Sequence, residues 1–268
     1  MLALSSSCCP REQLIPMLQR LQDNGLHDIG IEIFYDALPL YDNANIAELL
    51  RPQIERQLVS FHYPMDGVRL MCDDVDGWAY KYSITRLREC LRTAQLCNAE
   101  YMVIHAALYG EKTPQAERES VRLRWRERYV QWAALAAEYG VKLLVENCGS
   151  LQSDSVLFNQ EQFAELFAEI PGMECLVDIG HAQNCGWDML ALIEQLGDKI
   201  KAYHLHNNDG TEDKHWPLRD KRGAIDYDPI LRKADKNALM IVEYGRWTFD
   251  DLEYIIEELK WLRSEYGY

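Results

Sequence analysis

No C-x-x-C pair occurs among the eight cysteines, which removes the usual spacing of a zinc ribbon or a redox dithiol. No stretch approaches the roughly 18 consecutive apolar residues of a membrane span. The opening MLALSSSCCP has neither a basic n-region nor a long apolar core, so no signal peptide is expected and a reducing cytoplasm is the expected setting. Positive charge is scarce: 28 Lys and Arg against 43 Asp and Glu leave a formal net charge of -15. Phosphate backbones are held mainly by Lys and Arg, so a broad nucleic-acid-binding face is not expected. No G-x-G-x-x-G follows the first apolar run, which argues against a dinucleotide-binding doubly wound sheet. No linker, low-complexity tract or charge block interrupts the chain, and residues 1–268 read as one domain.

What is present is a regular alternation. Short apolar runs predict strands over Leu2–Ser5, Ile29–Phe34, Leu58–Phe61, Tyr101–Ile104, Lys142–Val145, Glu174–Val177, Ile200–Leu205 and Leu239–Val242. Between them, apolar residues spaced near 3.6 predict helices over Arg11–Asn24, Ile46–Arg56, Tyr80–Cys97, Ala116–Tyr139, Gln160–Ile170, Asp188–Leu196, Pro229–Ala234 and Thr248–Tyr266. Pro10 opens the first helix, and Gly140 stands just past the fourth. Strict strand–helix alternation implies a parallel sheet, and repetition of this number over 268 residues implies a (β/α)8 TIM barrel, which needs about 250 residues. Cys90, Cys97 and Cys175 fall within apolar patterns as small buried hydrophobes.

The polar residues collect where the strands end. Glu32 lies inside the second strand; His62, His105 and Glu146 end the third, fourth and fifth. Asp178 and His181 follow the sixth, His204 and His206 close the seventh, and Glu243 ends the eighth, with Asp213 and His215 in the loop after the seventh. Every histidine except His27 is therefore at a C-terminal strand end or in one loop, the face where such barrels keep their chemistry. If Glu146, Asp178 and Glu243 converge to about 4 Å, each pair repels by about 4 kcal/mol at an effective dielectric of ~20. The sum, on the order of 10 kcal/mol, rivals the stability of a whole domain. Protons or cations must relieve it. Imidazoles among the carboxylates favour a divalent cation, Zn²⁺, Mn²⁺, Fe²⁺ or Co²⁺, over the all-oxygen sites of Mg²⁺ or Ca²⁺.

With these residues in place the chain resembles the xylose isomerase-like TIM-barrel superfamily, which holds sugar and sugar-phosphate isomerases and epimerases together with endonuclease IV-like enzymes of the AP endonuclease family 2. The motifs are V-E-N at 145–147, V-D-I-G-H at 177–181, H-L-H-N-N-D-G at 204–210, D-K-H at 213–215 and V-E-Y at 242–244. The resemblance implies that Glu146, Asp178, His204 and Glu243 are the ligands of a central divalent metal. It implies that His181 and His206 touch substrate, and that Glu146 and Glu243 double as acid and base in proton transfer through a cis-enediolate. The nuclease branch implies further metal sites, with His62 and His105 joining Glu146, and His181 joining Asp213 and His215. One cation is the leading expectation, with up to three accommodated.

A metal-dependent sugar or sugar-phosphate isomerase or epimerase is therefore the leading expectation, followed by phosphoester hydrolysis at a di- or trinuclear zinc site. A dehydratase using the same enolate chemistry comes next, and a non-catalytic binding barrel is the alternative of another class. Against the nuclease branch, LALSSSCCP lacks its glycine-containing opening, and V-E-N-C-G-S matches its E-N-T-A-G-like segment only in part. A further departure falls at Pro217–Gly223, where many relatives carry a P-L-G-E-G-like turn. Arg219, Lys221 and Arg222 make this turn cationic, and with Arg246 they are expected to bind a substrate phosphate or carboxylate. Trp216 is the expected lid residue. Trp78, Tyr80, Tyr82, Tyr35 and Tyr109 are candidate mouth aromatics, and Cys148 a candidate wall residue. The expected partner is a small sugar or sugar phosphate, with no nucleic acid and no membrane, and a homo-oligomer is compatible with this reading.

Overall fold

Successive side chains along a strand point to opposite faces, so a short apolar run can send one set into a barrel while the other packs under helices. In the computed structural model this produces a closed barrel in the order β1 to β8, every pair parallel. The structure describes residues 1–35, 43–54, 59–65, 68–106 and 113–268. The strands are β1 Leu2–Ser5, β2 Gly30–Phe34, β3 Val59–His62, β4 Tyr101–His105, β5 Lys142–Glu146, β6 Glu174–Asp178, β7 Ile200–Leu205 and β8 Leu239–Val242. The helices are α1 Leu14–Asp23, α2 Asn43–Ile54, α3 Trp78–Leu96, α4 Arg118–Glu138, α5 Gln160–Glu169, α6 Ile179–Asn184, α7 Met189–Leu196, α8 Tyr227–Lys233 and α9 Leu252–Tyr266. Leu58, Arg56 and Tyr109 lie outside the described residues. Among the described residues no helix is long and apolar enough to cross a membrane.

The boundaries depart from the sequence pattern in ways that have local causes. Pro10 precedes a 3₁₀ turn at Arg11–Gln13, and the α-helix begins only at Leu14. A second 3₁₀ turn, Arg246–Asp251, precedes α9, whose start is fixed by the Asp251 side chain accepting from the Tyr254 amide. At the end of α4, Gly140 takes φ 71°, a conformation that favours glycine. The short helix α6 was not expected from periodicity. It begins directly at β6 because the Asp178 carboxylate caps it, accepting from the His181 amide at 2.7 Å. The capping acid and the strand-end acid are one residue, which leaves no loop to mark the helix.

Two apolar clusters hold the barrel. The larger lies between strands and helices and includes the buried Trp125 and Trp132. The smaller, Ala3, Val103, Leu144, Leu176, Ala202, Leu239 and Ile241, fills the barrel itself. Moving two residues onward from these plug positions turns apolar into polar: Ala3 to Ser5, Val103 to His105, Leu144 to Glu146, Leu176 to Asp178, Ala202 to His204 and Ile241 to Glu243, all buried. The period-two geometry of the strands thus carries the polar set to the same barrel mouth. All eight cysteines remain thiols, and Cys90, Cys97 and Cys175 are buried.

Candidate metal centre

Register brings the strand-end residues side by side: Phe34 is opposite His62, His105 opposite Glu146, and Asp178 opposite His204. Their donor atoms gather into three sets, His62–His105–Glu146, Glu146–Asp178–His204–Glu243, and His181–His206–Asp213–His215. In the first, His62 Nε2 lies 3.1 Å from His105 Nε2, and both face Glu146 Oε2, at 3.4 and 3.2 Å. In the second, His204 Nδ1 lies 3.2 Å from Glu146 Oε1, 3.2 Å from Glu243 Oε2 and 3.6 Å from Asp178 Oδ2. In the third, Asp213 Oδ2 lies 3.2 Å from His181 Nε2 and 2.9 Å from His215 Nε2. Donors held about 2.0–2.1 Å from one tetrahedral cation stand about 3.3 Å from each other. The first two sets have that size, and Glu146 gives one oxygen to each.

Four of these imidazoles, His62, His181, His215 and His204, are pinned through the other nitrogen. His62 Nδ1–H donates to the Tyr63 carbonyl at 2.9 Å, His181 Nδ1–H to that of Asn147 at 2.9 Å, and His215 Nδ1–H to that of Glu243 at 2.9 Å. A carbonyl can only accept, so the tautomer is fixed and Nε2 is presented to the carboxylates. His204 is held the other way round: the Glu32 carboxylate accepts from Nε2 at 3.1 Å, leaving Nδ1 toward the site. Glu32 is itself held by the Ser5 hydroxyl at 3.1 Å. Asn147 clamps β5 to β6, donating to the Asp178 carbonyl at 2.9 Å and accepting from the Asp178 amide at 2.8 Å.

The charges are finely opposed. Burial alone would lower His204, but the Glu243, Glu32 and Glu146 carboxylates outweigh it and hold it well above its ordinary value. His181 is likewise pushed well up against burial by Asp178 and Asp213, and His215 up to about 10, chiefly by Asp213. Burial would raise Asp213, yet His181 and His215 hold it well below the carboxylate range. Glu243 is raised, by burial and by the Glu146 and Glu32 charges, which outweigh the lowering by His204 and His215. The first set shows the clearest gap: buried Glu146 Oε2 accepts no hydrogen bond although two imidazole nitrogens flank it. Buried polar atoms normally have a partner, and a cation among these donors would supply one. The donor set therefore fits divalent metal.

Above the sets lies a cavity of about 320 Å³, reached past Ser7, Phe34, Met65 and Arg246 and floored by His62, His105, Glu146, His181, Asp213, His215 and Glu243. Asp178, His204 and His206 lie beneath this surface. His206 is fully buried, meets Asp178 Oδ1 at 3.1 Å and stacks on His215 with ring centroids 4.1 Å apart. It also covers Gly180, where a Cβ would stand 2.0 Å from its Cε1. The cationic turn faces elsewhere. Arg219 pairs with Glu258 and covers Trp261; Arg222 pairs with Asp220 at 2.7 Å and lies 4.4 Å over Trp216. None of Arg219, Arg222 and Trp216 lines the cavity, nor does Cys148. Tyr80 lies under the Arg128 guanidinium at 4.9 Å, and Trp78 stacks on Tyr82. Sequence reasoning gave no role to Ser5 or Asn147, whose work is to hold Glu32 and Asp178.

Such a barrel, with a mixed imidazole–carboxylate centre at its C-terminal mouth, defines a class of TIM barrels with a candidate metal site. Residues 18–265 match the model of the family described as xylose isomerase-like TIM barrel. The chain belongs to that family. A stretch of 127 residues is 28% identical to the uncharacterised protein MJ1614 of Methanocaldococcus jannaschii and spans 46% of this chain and 47% of that protein, so the match takes in about half of the relative. Among solved structures, the TTHB071 protein of Thermus thermophilus, soaked with ZnCl2, superposes with TM-score 0.70 at 23% identity, covering 96% of this chain and 98% of that one. A D-tagatose 3-epimerase-like protein gives 0.73 at 20%, covering 98% of each. Endonuclease IV of Thermus thermophilus gives 0.64 at 21%, covering 96% and 99%. At these identities the likeness is one of fold, and it spans sugar epimerases and a nuclease alike.

Proposed function

We propose that this protein is a phosphoester hydrolase that works with two or three divalent cations, zinc foremost. The observation that carries the reading is the division of Glu146: its two oxygens face two separate donor sets of cation size, with a third set next to them. Enediolate chemistry asks for one cation beside the substrate oxygens and leaves His62 and His105 without a task. Bound at these sets, the cations would make water a nucleophile near neutral pH and offset the charge of a phosphoester. The protein's own part is positioning. Glu146 ties the first two sets together, with Asp178, His204 and Glu243 completing the second and His181, Asp213 and His215 the third. The carbonyls of Tyr63, Asn147 and Glu243 keep three rings from turning. Arg246, exposed at the rim, is placed to donate to a non-bridging phosphate oxygen. Phe34 and Met65 bring apolar surface over the floor and limit water there.

The sugar isomerase or epimerase reading, the leading expectation from the sequence, comes second here, favoured by one feature. Glu146 and Glu243 each approach His204 Nδ1 to 3.2 Å and could act as the acid and base pair on a bound sugar. Elemental analysis of purified protein, with release of p-nitrophenol from bis(p-nitrophenyl) phosphate, tests the first reading. Two or three zinc ions per chain with metal-dependent release are expected. A single metal, no release, and solvent deuterium entering a ketose would replace it with the isomerase.

A further inference from the structure

One buried carboxylate outside the metal centre has no part in the proposed chemistry. Glu258, on α9, is fully buried, and burying a carboxylate is unfavourable unless it is paired and hydrogen-bonded. Both of its oxygens are met. Arg219, from the cationic turn, donates from Nε to Oε1 and lays its guanidinium 4.5 Å over the Trp261 ring of the same helix. The Tyr244 hydroxyl donates to Oε2 at 3.0 Å. Burial and the Glu258 charge hold that hydroxyl well above its ordinary value, so it stays a donor, and it accepts in turn from the Leu218 amide at 3.1 Å. A single carboxylate thus ties together the helix, the turn at 217–223 and the exit of β8.

The exit of β8 in turn holds the third donor set. Tyr244 stands between two residues that grip His215: the Glu243 carbonyl accepts from His215 Nδ1–H at 2.9 Å, and the Gly245 amide donates to the His215 carbonyl at 2.8 Å. His215 needs that grip. Its φ of 46° is a left-handed conformation that a residue with a side chain keeps only where its surroundings impose it, and in it Nε2 lies 2.9 Å from Asp213 Oδ2. The loop is also tied from its other side, where Asn207 exchanges backbone bonds with Trp216 at 2.7 and 2.9 Å and donates from its side chain to the Leu218 carbonyl at 2.8 Å.

We propose that Glu258 is a positioning residue of the candidate metal centre: with Arg219 and Tyr244 it forms a buried clamp that holds the β8 exit against the loop after β7, and so keeps His215 in the strained conformation that presents Nε2 to Asp213. Arg219 then serves to neutralise this carboxylate. The multi-cation reading of the preceding subsection enters only in that the third set takes a metal; the clamp acts on His215 with or without one.

Two measurements on the full chain test the clamp in Tyr244→Phe, which removes only the hydroxyl, and in Arg219→Ala, which leaves Glu258 one partner short. The first is zinc affinity by chelator competition, with Asp213→Ala marking the ion bound at the third set. That ion should be held about 10-fold more weakly in both variants, with the remaining zinc bound as in the unaltered chain, and Arg219→Lys should recover part of the loss. The second is the His215 Nδ1–H proton of metal-free protein, followed by NMR and assigned with His215→Gln; its resonance should be lost to solvent exchange in both variants. A network that merely stabilises the fold would lower the melting temperature and leave both readouts alone, and that result in folded Tyr244→Phe overturns the proposal. Should Arg219→Ala not fold, Tyr244→Phe decides. If Asp213→Ala costs no zinc, the third cation is removed from the preceding reading, and the His215 proton alone decides the clamp.

Discussion

The same strands make two different interiors. Toward the middle of the barrel Val103, Leu144, Leu176 and Ile241 meet as an apolar plug; two residues onward His105, Glu146, Asp178 and Glu243 meet as a charged centre. Both layers are buried, so exposure does not separate them. What does is the sign of their contribution. Plug residues stabilise the fold by leaving water, whereas gathering carboxylates without a cation opposes it. The barrel below holds the centre together, and a bound cation would relieve its repulsion.

Substitutions in the two layers should therefore have opposite signatures. Glu146→Gln removes the carboxylate shared by two donor sets, and turnover of a phosphoester should fall on the order of 10³-fold or more, with bound metal reduced in elemental analysis. The thermal midpoint in chelator should move little. Leu176→Ala leaves a hole in the plug and should cost about 2–5 kcal/mol in denaturant titration, while the surviving folded protein keeps its full metal content. Equal loss of metal in both variants would break the distinction between layers.

Glu32→Gln tests the link between them. Glu32 sits within the barrel, fully buried, and meets the centre through His204 Nε2. Losing that anchor should weaken metal binding about 10- to 100-fold, measured by competition with a chelator, with Ser5→Ala giving a smaller change in the same direction. Protons sharpen the comparison further. In metal-free protein His215 has its value raised from 6.5 to about 10, so its stabilising contribution is complete below pH 6.5 and lost as pH rises through about 10. Chelated protein should thus lose stability over that window, and the zinc-loaded protein, with those nitrogens occupied, should lose less.

Much of this was legible in the chain because two signals coincide. Apolar runs mark the strands, and His62, His105, Glu146 and Asp178 each stand one residue beyond the predicted run, so locating the strands located the site. What stayed hidden lacks a side-chain signature. The carbonyls of Tyr63, Asn147 and Glu243 fix three imidazoles, and any residue has a carbonyl. Helix α6 is too short for periodicity, and its cap is the candidate ligand Asp178.

The arginines give the smallest effect and separate sequence pattern from placement. Arg219, Arg222 and Arg246 look equivalent in the sequence, all near the end of the chain's acidic motifs. Arg222 is tied to Asp220 by Nε at 3.0 Å and Nη2 at 2.7 Å, so much of its charge is already answered, and Arg219 is paired with the buried Glu258. Arg246 lines the cavity, and among the described residues no carboxylate pairs with it. A phosphate oxygen entering the mouth meets Arg246 without displacing an existing partner. Arg246→Ala should raise KM for a phosphoester about 5- to 10-fold, the worth of one charge-assisted hydrogen bond at a wet site, with kcat nearly unchanged. Arg222→Ala should stay within about twofold. A larger KM effect at Arg222 than at Arg246 would mean that the turn at 217–223 leaves its Asp220 pairing to reach the substrate, and the mouth would then have to be drawn to include it.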